Sequence, residues 1–260
     1  MTRIVFLLFA ALLAGCSTSQ PQRFWDASAM AGLPYPMVTL KEKSTGKVSG
    51  TIKMADIQQM IQIKEQVESA AGPINAALLL AEGNEPNGFS FLSKQGPIIA
   101  VNIGMVNLLD QDKDAMAALI GHELAHLYLN HGRVRRDREE NRMAASVALS
   151  FVLGAFGVPL PMEVTDVATT SVTSKYSREE ERDADKLGVL YMVRAGFDPQ
   201  GSVRLQEKLG AASGSSSLPF LSSHPGSTER VENMKRLAME YQSGQPAVPP
   251  EKQQAAPAAP

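Results

Sequence analysis

Residues 121–132 read Gly-His-Glu-Leu-Ala-His-Leu-Tyr-Leu-Asn-His-Gly, and this stretch decides how the rest of the chain is interpreted. Four positions separate His122 from His126, so a helix places both imidazoles on one face, one turn apart. Both rings can then bind one Zn²⁺ at about 2.0–2.1 Å. Glu123 stands beside the first imidazole, where its carboxylate can accept a proton from a water molecule. The pattern predicts a zinc hydrolase with Glu123 as general base.

An alternative is that His122, Glu123 and His126 occur together by chance on a solvated helix. The residues around the motif argue against this alternative. The helix is apolar on both sides of the motif, with Ile120, Leu124 and Leu127 among its members. We therefore expect the helix to be buried. Buried His and Glu side chains need partners, and a metal ion supplies them.

A catalytic zinc has three protein ligands and one open position, so a third ligand must come from elsewhere in the chain. The four histidines are His122, His126, His131 and His224. His131 is one residue out of register for the third ligand of an HExxHxxGxxH site, because Gly132 occupies that position. In a regular helix His131 is therefore excluded from the metal. A carboxylate from a second helix is the better candidate.

Glu181 and Asp185 are the best candidates for this second helix. They lie four positions apart and share a helical face. Glu181 can bind the metal while Asp185 accepts the free N–H of a ligating histidine and fixes its tautomer. The alternative is a solvated charged face on which Arg178 and Arg182 form local ion pairs.

Two further groups of residues complete a recognisable pattern. Around Glu181 the chain has Tyr176-Ser177-Arg178, Ala184-Asp185 and Gly188, and later it has His224-Pro225 followed by Glu229-Arg230. With the HExxH motif, these residues resemble the HtpX-like and Oma-like zinc metallopeptidases over about residues 50–240. Among them the chain is most similar to the BepA-like and LoiP-like lipoprotein peptidases of the periplasm.

The resemblance implies an α+β fold, mainly helical: a zincin-like peptidase domain with a small sheet beside the HExxH helix. It implies one Zn²⁺ per chain, bound by His122, His126 and Glu181. Residues 85–104 would form the sheet edge along which an extended peptide substrate lies. His224 has two candidate catalytic roles: stabilising the oxyanion, or capping the open zinc position to keep the site latent. An ordinary core or surface histidine is the alternative.

The N-terminal residues predict where the protein works. Thr2-Arg3 precedes the apolar run Ile4 to Leu13, and Leu13-Ala14-Gly15-Cys16 matches a bacterial lipobox. We expect a signal peptide over residues 1–15 and acylation of Cys16, the only cysteine. Ser17 resembles the signal for sorting to the inner leaflet of the outer membrane. An ordinary signal peptide with an incidental cysteine is the alternative.

Composition suggests how the remaining chain is organised. We expect a lipidated tether over residues 16–50 with Trp25 packed on the body, a peptidase domain over 51–242, and a disordered Pro/Ala/Gln-rich tail over 243–260. Patterns within the domain predict a helix over 53–71, a strand over 76–81, a short sheet over 89–102 and an exposed helical continuation over 133–142. The uncharged stretch 143–161 should pack on the catalytic helix or cover the cleft, with membrane contact as the alternative.

Charge and motifs together narrow the function. The net charge of −2, with both signs mixed, does not favour nucleic acid as a partner. We expect a zinc endopeptidase, lipid-anchored in the periplasm, that hydrolyses unfolded or misassembled envelope proteins, with the outer-membrane assembly machinery as a candidate partner. One alternative is a lipid-anchored chaperone or assembly factor whose zinc site is silent or latent. Another is a zinc peptidase that acts on cell-wall peptides.

Overall fold

The computed structural model describes residues 23–41, 48–138, 175–214, 218–226 and 228–243. The helices with both ends in these ranges are α1 (Ala27–Ala31), α2 (Met54–Ala71), α3 (Ile103–Leu109), α4 (Lys113–Tyr128), α5 (Arg178–Arg194), α6 (Gln200–Ser213), α7 (Pro219–Ser223) and α8 (Thr228–Gln242). None of these helices is long and apolar enough to cross a membrane. The predicted signal peptide, Cys16, the stretch 143–161 and residues 244–260 lie outside the described residues.

The strands form two small sheets. They are β1 (Phe24–Asp26), β2 (Met37–Lys41), β3 (Val48–Lys53), β4 (Ala77–Ala81), β5 (Gly88–Ser93) and β6 (Gly96–Asn102). Within the described residues one sheet has the order β1–β4–β6–β5, with β4 parallel to β6 and the outer strands antiparallel, while β2 and β3 pair separately. Of the strands described, β5 lies at one edge of this sheet, and it packs against α4. The expected α+β fold with a small sheet beside the HExxH helix is confirmed.

The predicted tether over residues 16–50 is wrong in its C-terminal part. Strand β1 pairs with β4, so that Phe24 lies opposite Ala81 and Asp26 opposite Leu79. Trp25 is 7% exposed and belongs to the main hydrophobic core. Its packing on the body of the protein agrees with the expectation from the sequence. Strands β2 and β3 also begin before residue 51. These strands are short and gain their stability from distant partners, which sequence periodicity does not reveal.

Helix α4 carries the HExxH motif through the centre of the molecule. Every residue from Ala115 to Leu127 is buried, and the helix packs against α2, α5, α6 and β5. A helix that is apolar on all sides is stable only when it is surrounded in this way. Its N-terminus is capped by Asp112, which accepts a 3.1 Å hydrogen bond from the Ala115 N–H. Arg204 of α6 donates to both oxygens of Asp112, at 2.8 and 2.9 Å, and so ties α6 to the start of α4.

Helix α4 does not continue into residues 133–142 as the sequence predicts. It ends at Tyr128, and Asn130 adopts a left-handed conformation with φ of 57°, which Asn tolerates better than most residues. A new helical stretch then runs over residues 131–138. Arg135, expected on an exposed face, is only 9% exposed, and its guanidinium lies 4.4 Å from the centre of the Tyr176 ring.

Helices α4 and α5 cross with their backbones in direct contact. A Cβ added to Gly121 would lie 2.6 Å from the carbonyl oxygen of Gly188. A Cβ added to Gly188 would lie 2.7 Å from the backbone nitrogen of His122. Any side chain at either position would therefore separate the helices. The crossing places the N-terminal half of α5, with Glu181 and Asp185, opposite the histidine face of α4.

We expect Gly188→Ala to destabilise the protein although alanine favours helix formation. The new methyl group must displace backbone atoms of α4, and such overpacking costs about 1–3 kcal/mol. Urea unfolding of the metal-free protein measures the free energy of unfolding, and chelator competition measures the accompanying loss of zinc affinity.

The matched control is Gly210→Ala in α6, where an added Cβ meets nothing within 4 Å. This control should gain stability by up to about 1 kcal/mol, because alanine has the higher helix propensity. An equal gain for Gly188→Ala would show that the two helices can separate without cost.

Candidate metal centre

Four buried side chains from three parts of the chain converge beside α4. They are His122 and His126 from α4, Glu181 from α5, and His224 from the turn after α7, and one ligand atom of each lies within 4.8 Å of all the others. The Nε2 atoms of His122 and His126 are 3.0 Å apart. Glu181 Oε1 lies 3.4 Å from His126 Nε2. The structure thus brings together the three predicted metal ligands, and it adds a fourth side chain to them.

Glu123 lies beside this cluster without a hydrogen-bond partner. It is 0% exposed, and neither carboxylate oxygen makes a hydrogen bond within the described part of the chain. Nε2 of His224 lies 3.5 Å from Glu123 Oε1. Burying a carboxylate in this way is costly unless a water molecule or a cation occupies the adjoining space. This position beside the cluster is compatible with the predicted role of Glu123 as general base.

Asp185 occupies the predicted position behind one of the histidines. Its Oδ1 lies 3.0 Å from Nδ1 of His122, on the side of the ring opposite the cluster. Arg230 of α8 donates to both oxygens of Asp185, from Nε at 2.8 Å and from Nη2 at 2.6 Å. Its Nη1 also lies 2.5 Å from Glu181 Oε2. Arg230 thus holds both carboxylates, a role that the sequence pattern Glu229-Arg230 did not reveal.

Electrostatics sets the protonation states at the centre. Burial raises the pKa of Glu181, but the charges of His224 and Arg230 outweigh it and hold this pKa well below its usual range. The pKa of Asp185 is shifted in the same way. Burial raises it, but the charge of Arg230 outweighs burial and holds it below its usual value. Burial and the neighbouring His122 lower the pKa of His126 well below its usual value. Burial acts against the charged form of His122, but Asp185 and Glu181 outweigh burial and raise its pKa. Because metals bind ionised carboxylates and neutral imidazoles, the two carboxylates and His126 have the form that a metal needs, whereas metal binding competes with protonation of His122.

The buried charges show that the centre fits a divalent cation. Three buried carboxylates, of Glu123, Glu181 and Asp185, face one buried guanidinium, of Arg230. Arg230 balances only part of the charge of these carboxylates, and a divalent cation would offset the remainder. Two imidazoles and one carboxylate form a ligand set typical of catalytic zinc, whereas calcium and magnesium prefer oxygen ligands.

Two residues that contact His126 were not predicted to belong to the site. The Tyr176 ring stacks on His126 with centroids 3.9 Å apart and an interplanar angle of 20°. His131 stays outside the four-residue cluster. Nevertheless its Nδ1 lies 2.9 Å from Nδ1 of His126. Burial lowers the pKa of His131 to about 4, so its imidazole is neutral near pH 7. The break in the helix at Asn130, which the sequence did not indicate, produces this contact.

We expect Arg230→Met to cost about 3–5 kcal/mol of the free energy of unfolding, because it leaves two buried carboxylates without their cation. The measurement is urea unfolding of the metal-free protein. Arg236→Met is the control on the same helix, since Arg236 is exposed and pairs with Glu240 one turn away. It should change stability by less than about 0.5 kcal/mol.

Wild type and Arg230→Met should also differ in how their stability depends on pH. The lowered pKa values of Glu181 and Asp185 contribute stability above the unfolded-state pKa of about 4, and that contribution is lost as the pH falls through the folded-state values. The difference between wild type and Arg230→Met should therefore narrow below about pH 4. A difference that is constant from pH 7 to pH 3 would contradict this account.

Comparison with known proteins leads to one family. Residues 52–238 match the profile of Peptidase family M48. The chain is 25% identical to Metalloprotease YcaL of Escherichia coli (strain K12), over 87% of this chain and 92% of that protein. It is 32% identical to Mitochondrial metalloendopeptidase OMA1 of Arabidopsis thaliana, over 56% of this chain and 29% of that protein. A putative beta-barrel assembly-enhancing protease of Vibrio cholerae is 26% identical, over 60% of this chain and 33% of its own length. The chain therefore belongs to Peptidase family M48 and is a metalloendopeptidase.

Proposed function

We propose that this protein is a zinc-dependent endopeptidase, anchored through lipidated Cys16 in the bacterial periplasm, that hydrolyses unfolded or misassembled envelope proteins. The observation that carries the proposal is the convergence of His122, His126 and Glu181 beside the buried, unpartnered Glu123. A purely structural metal site would not need such a carboxylate next to its ligands.

Each residue of the centre then has a defined task. His122, His126 and Glu181 would hold the Zn²⁺, which when bound polarises the scissile carbonyl and makes the attacking water more acidic. Glu123 accepts a proton from this water and delivers it to the leaving amine. Asp185 orients His122 through its Nδ1, and Arg230 holds Asp185 and Glu181 in place.

The edge strand β5 supports an extended peptide as substrate. It packs against α4, which carries the catalytic motif, and its outer edge has no neighbouring strand among the described residues. A peptide that adds to such an edge binds mainly through backbone hydrogen bonds, which depend little on its sequence. Segments that have lost their fold can adopt this extended form. The beta-barrel assembly-enhancing proteases among the relatives and the lipobox at Cys16 favour substrates in the envelope.

The position of His224 favours the role of latency cap over that of oxyanion stabiliser. His224 is fully buried, with Nδ1 2.9 Å from Glu181 Oε1 and 3.2 Å from His122 Nε2. A fourth protein ligand at this point fills the position that a substrate would need. The closed arrangement also supports the second candidate function, a lipid-anchored chaperone or assembly factor with a latent zinc site.

The function is tested by comparing Glu123→Gln and Glu181→Ala with wild type. Loss of a general base costs about 10²–10⁴-fold in rate, so Glu123→Gln should retain zinc and lose proteolysis. Glu181→Ala should lose both. Zinc analysis and digestion of one protein in unfolded and folded forms give the readouts, and wild type should cleave the unfolded form faster.

The exposed neighbour Glu179 on the same helix supplies the control Glu179→Ala, which should behave like wild type. Retention of zinc and full activity in Glu181→Ala would mean that another residue is the third ligand. If the envelope function survives Glu123→Gln in cells, the hypothesis of a chaperone or assembly factor is supported. Equal cleavage of the folded and unfolded forms would exclude unfolded proteins as the preferred substrates.

We expect His224→Ala to retain zinc and to raise the basal rate of proteolysis, because it opens the position that His224 closes. Peptidase assays at saturating and limiting substrate separate kcat from KM. A fall in kcat with an unchanged KM would instead assign His224 to stabilisation of the oxyanion.

A further inference from the structure

The two ligand histidines of α4 are supported in different ways. Nε2 of each ring faces the cluster, with 3.0 Å between the two atoms, so each Nδ1 faces the surrounding protein. Nδ1 of His122 faces the carboxylate of Asp185 at 3.0 Å. Nδ1 of His126 faces Nδ1 of His131 at 2.9 Å. Two ring nitrogens at this distance form a hydrogen bond only when one of them carries a proton and the other does not.

We infer that His131 is a positioning residue that fixes the tautomer and ring orientation of His126. An imidazole that binds a metal through Nε2 carries its proton on Nδ1. His126 Nδ1–H then donates to the unprotonated Nδ1 of His131, whose own proton is on Nε2. The inference rests on the proposed zinc site, and it gives His131 a task without making it a ligand.

The backbone turn after α4 is what makes this contact possible. His131 follows Asn130, whose left-handed conformation interrupts the helix between α4 and residues 131–138. The turn is held by hydrogen bonds from the Leu129 N–H to the Ala125 carbonyl and from the Val134 N–H to the Asn130 carbonyl. As a result His131 is only 2% exposed and lies against His126 rather than on the surface.

The aromatic surroundings restrict both rings. Tyr176 stacks on His126 and also contacts His131, with 6.4 Å between the centroids of Tyr176 and His131. Arg135 covers the Tyr176 ring from 4.4 Å. Because these groups occupy the space around the imidazoles, His126 cannot easily turn its Nδ1 toward the metal position.

The charge at the centre explains why a neutral acceptor suits this position. Asp185 can be ionised because Arg230 neutralises it through two hydrogen bonds. A second carboxylate behind His126 would add a further buried negative charge next to those of Glu181 and Asp185. The His131 imidazole provides the acceptor without adding charge.

The test compares His131→Asn with His131→Leu in the full-length chain, using competition with a zinc chelator. The Asn side-chain oxygen can take the place of His131 Nδ1 as acceptor, whereas Leu fills the space without one. We expect zinc affinity close to wild type in His131→Asn and a loss of about 10–100-fold in His131→Leu. Wild-type affinity in His131→Leu, or an equal loss in both variants, would overturn the inference.

A direct measurement on wild type does not depend on how the variants fold. With four histidines in the chain, ¹⁵N-histidine labelling of the zinc-loaded protein gives a simple imidazole spectrum. We expect a protonated His126 Nδ1 and a scalar coupling across the hydrogen bond to His131 Nδ1. An unprotonated His126 Nδ1, or no coupling between the two nitrogens, would overturn the inference. Failure of wild type to bind zinc would instead overturn the proposed function.

Discussion

The structure depends on the contact between the backbones of α4 and α5 at Gly121 and Gly188. No side chain separates the helices there, so Glu181 can approach the two imidazoles of α4 closely enough to share one ion with them. In the proposed site the HExxH motif would provide two ligands and a base, but it cannot set the distance to a third ligand from another helix. The glycine pair sets that distance, and the buried apolar surface of α4 keeps the helices together.

The same crossing brings buried carboxylates close together, and the C-terminal helix α8 reduces the repulsion between them. Three carboxylates are buried around the centre, and Arg230 of α8 neutralises part of their charge. A divalent cation would neutralise the rest, so metal binding and folding should be thermodynamically coupled. His224 lies just before α8 and belongs to the cluster. The position of this C-terminal segment should therefore affect whether a substrate can reach the metal site.

Much of the fold and the clustering of His122, His126 and Glu181 can be predicted from sequence because the signals are local. The spacing of His122 and His126 and that of Glu181 and Asp185 each define one helical face, and α2 and β4 follow from continuous patterns. The prediction failed for β1 and β2, whose few residues are stabilised by distant strands. It also missed the break at Asn130, because a single left-handed residue leaves no periodic signal, and it missed Arg230, whose partners are far away in sequence.

The most direct measurement is a crystal structure of the zinc-loaded protein with diffraction data on both sides of the zinc absorption edge. The account predicts one anomalous peak per chain, bonded to Nε2 of His122, Nε2 of His126 and a carboxylate oxygen of Glu181 and capped by His224, with Glu123 beside it and unbonded. A peak bound by other residues, or an empty centre at saturating zinc, would contradict it.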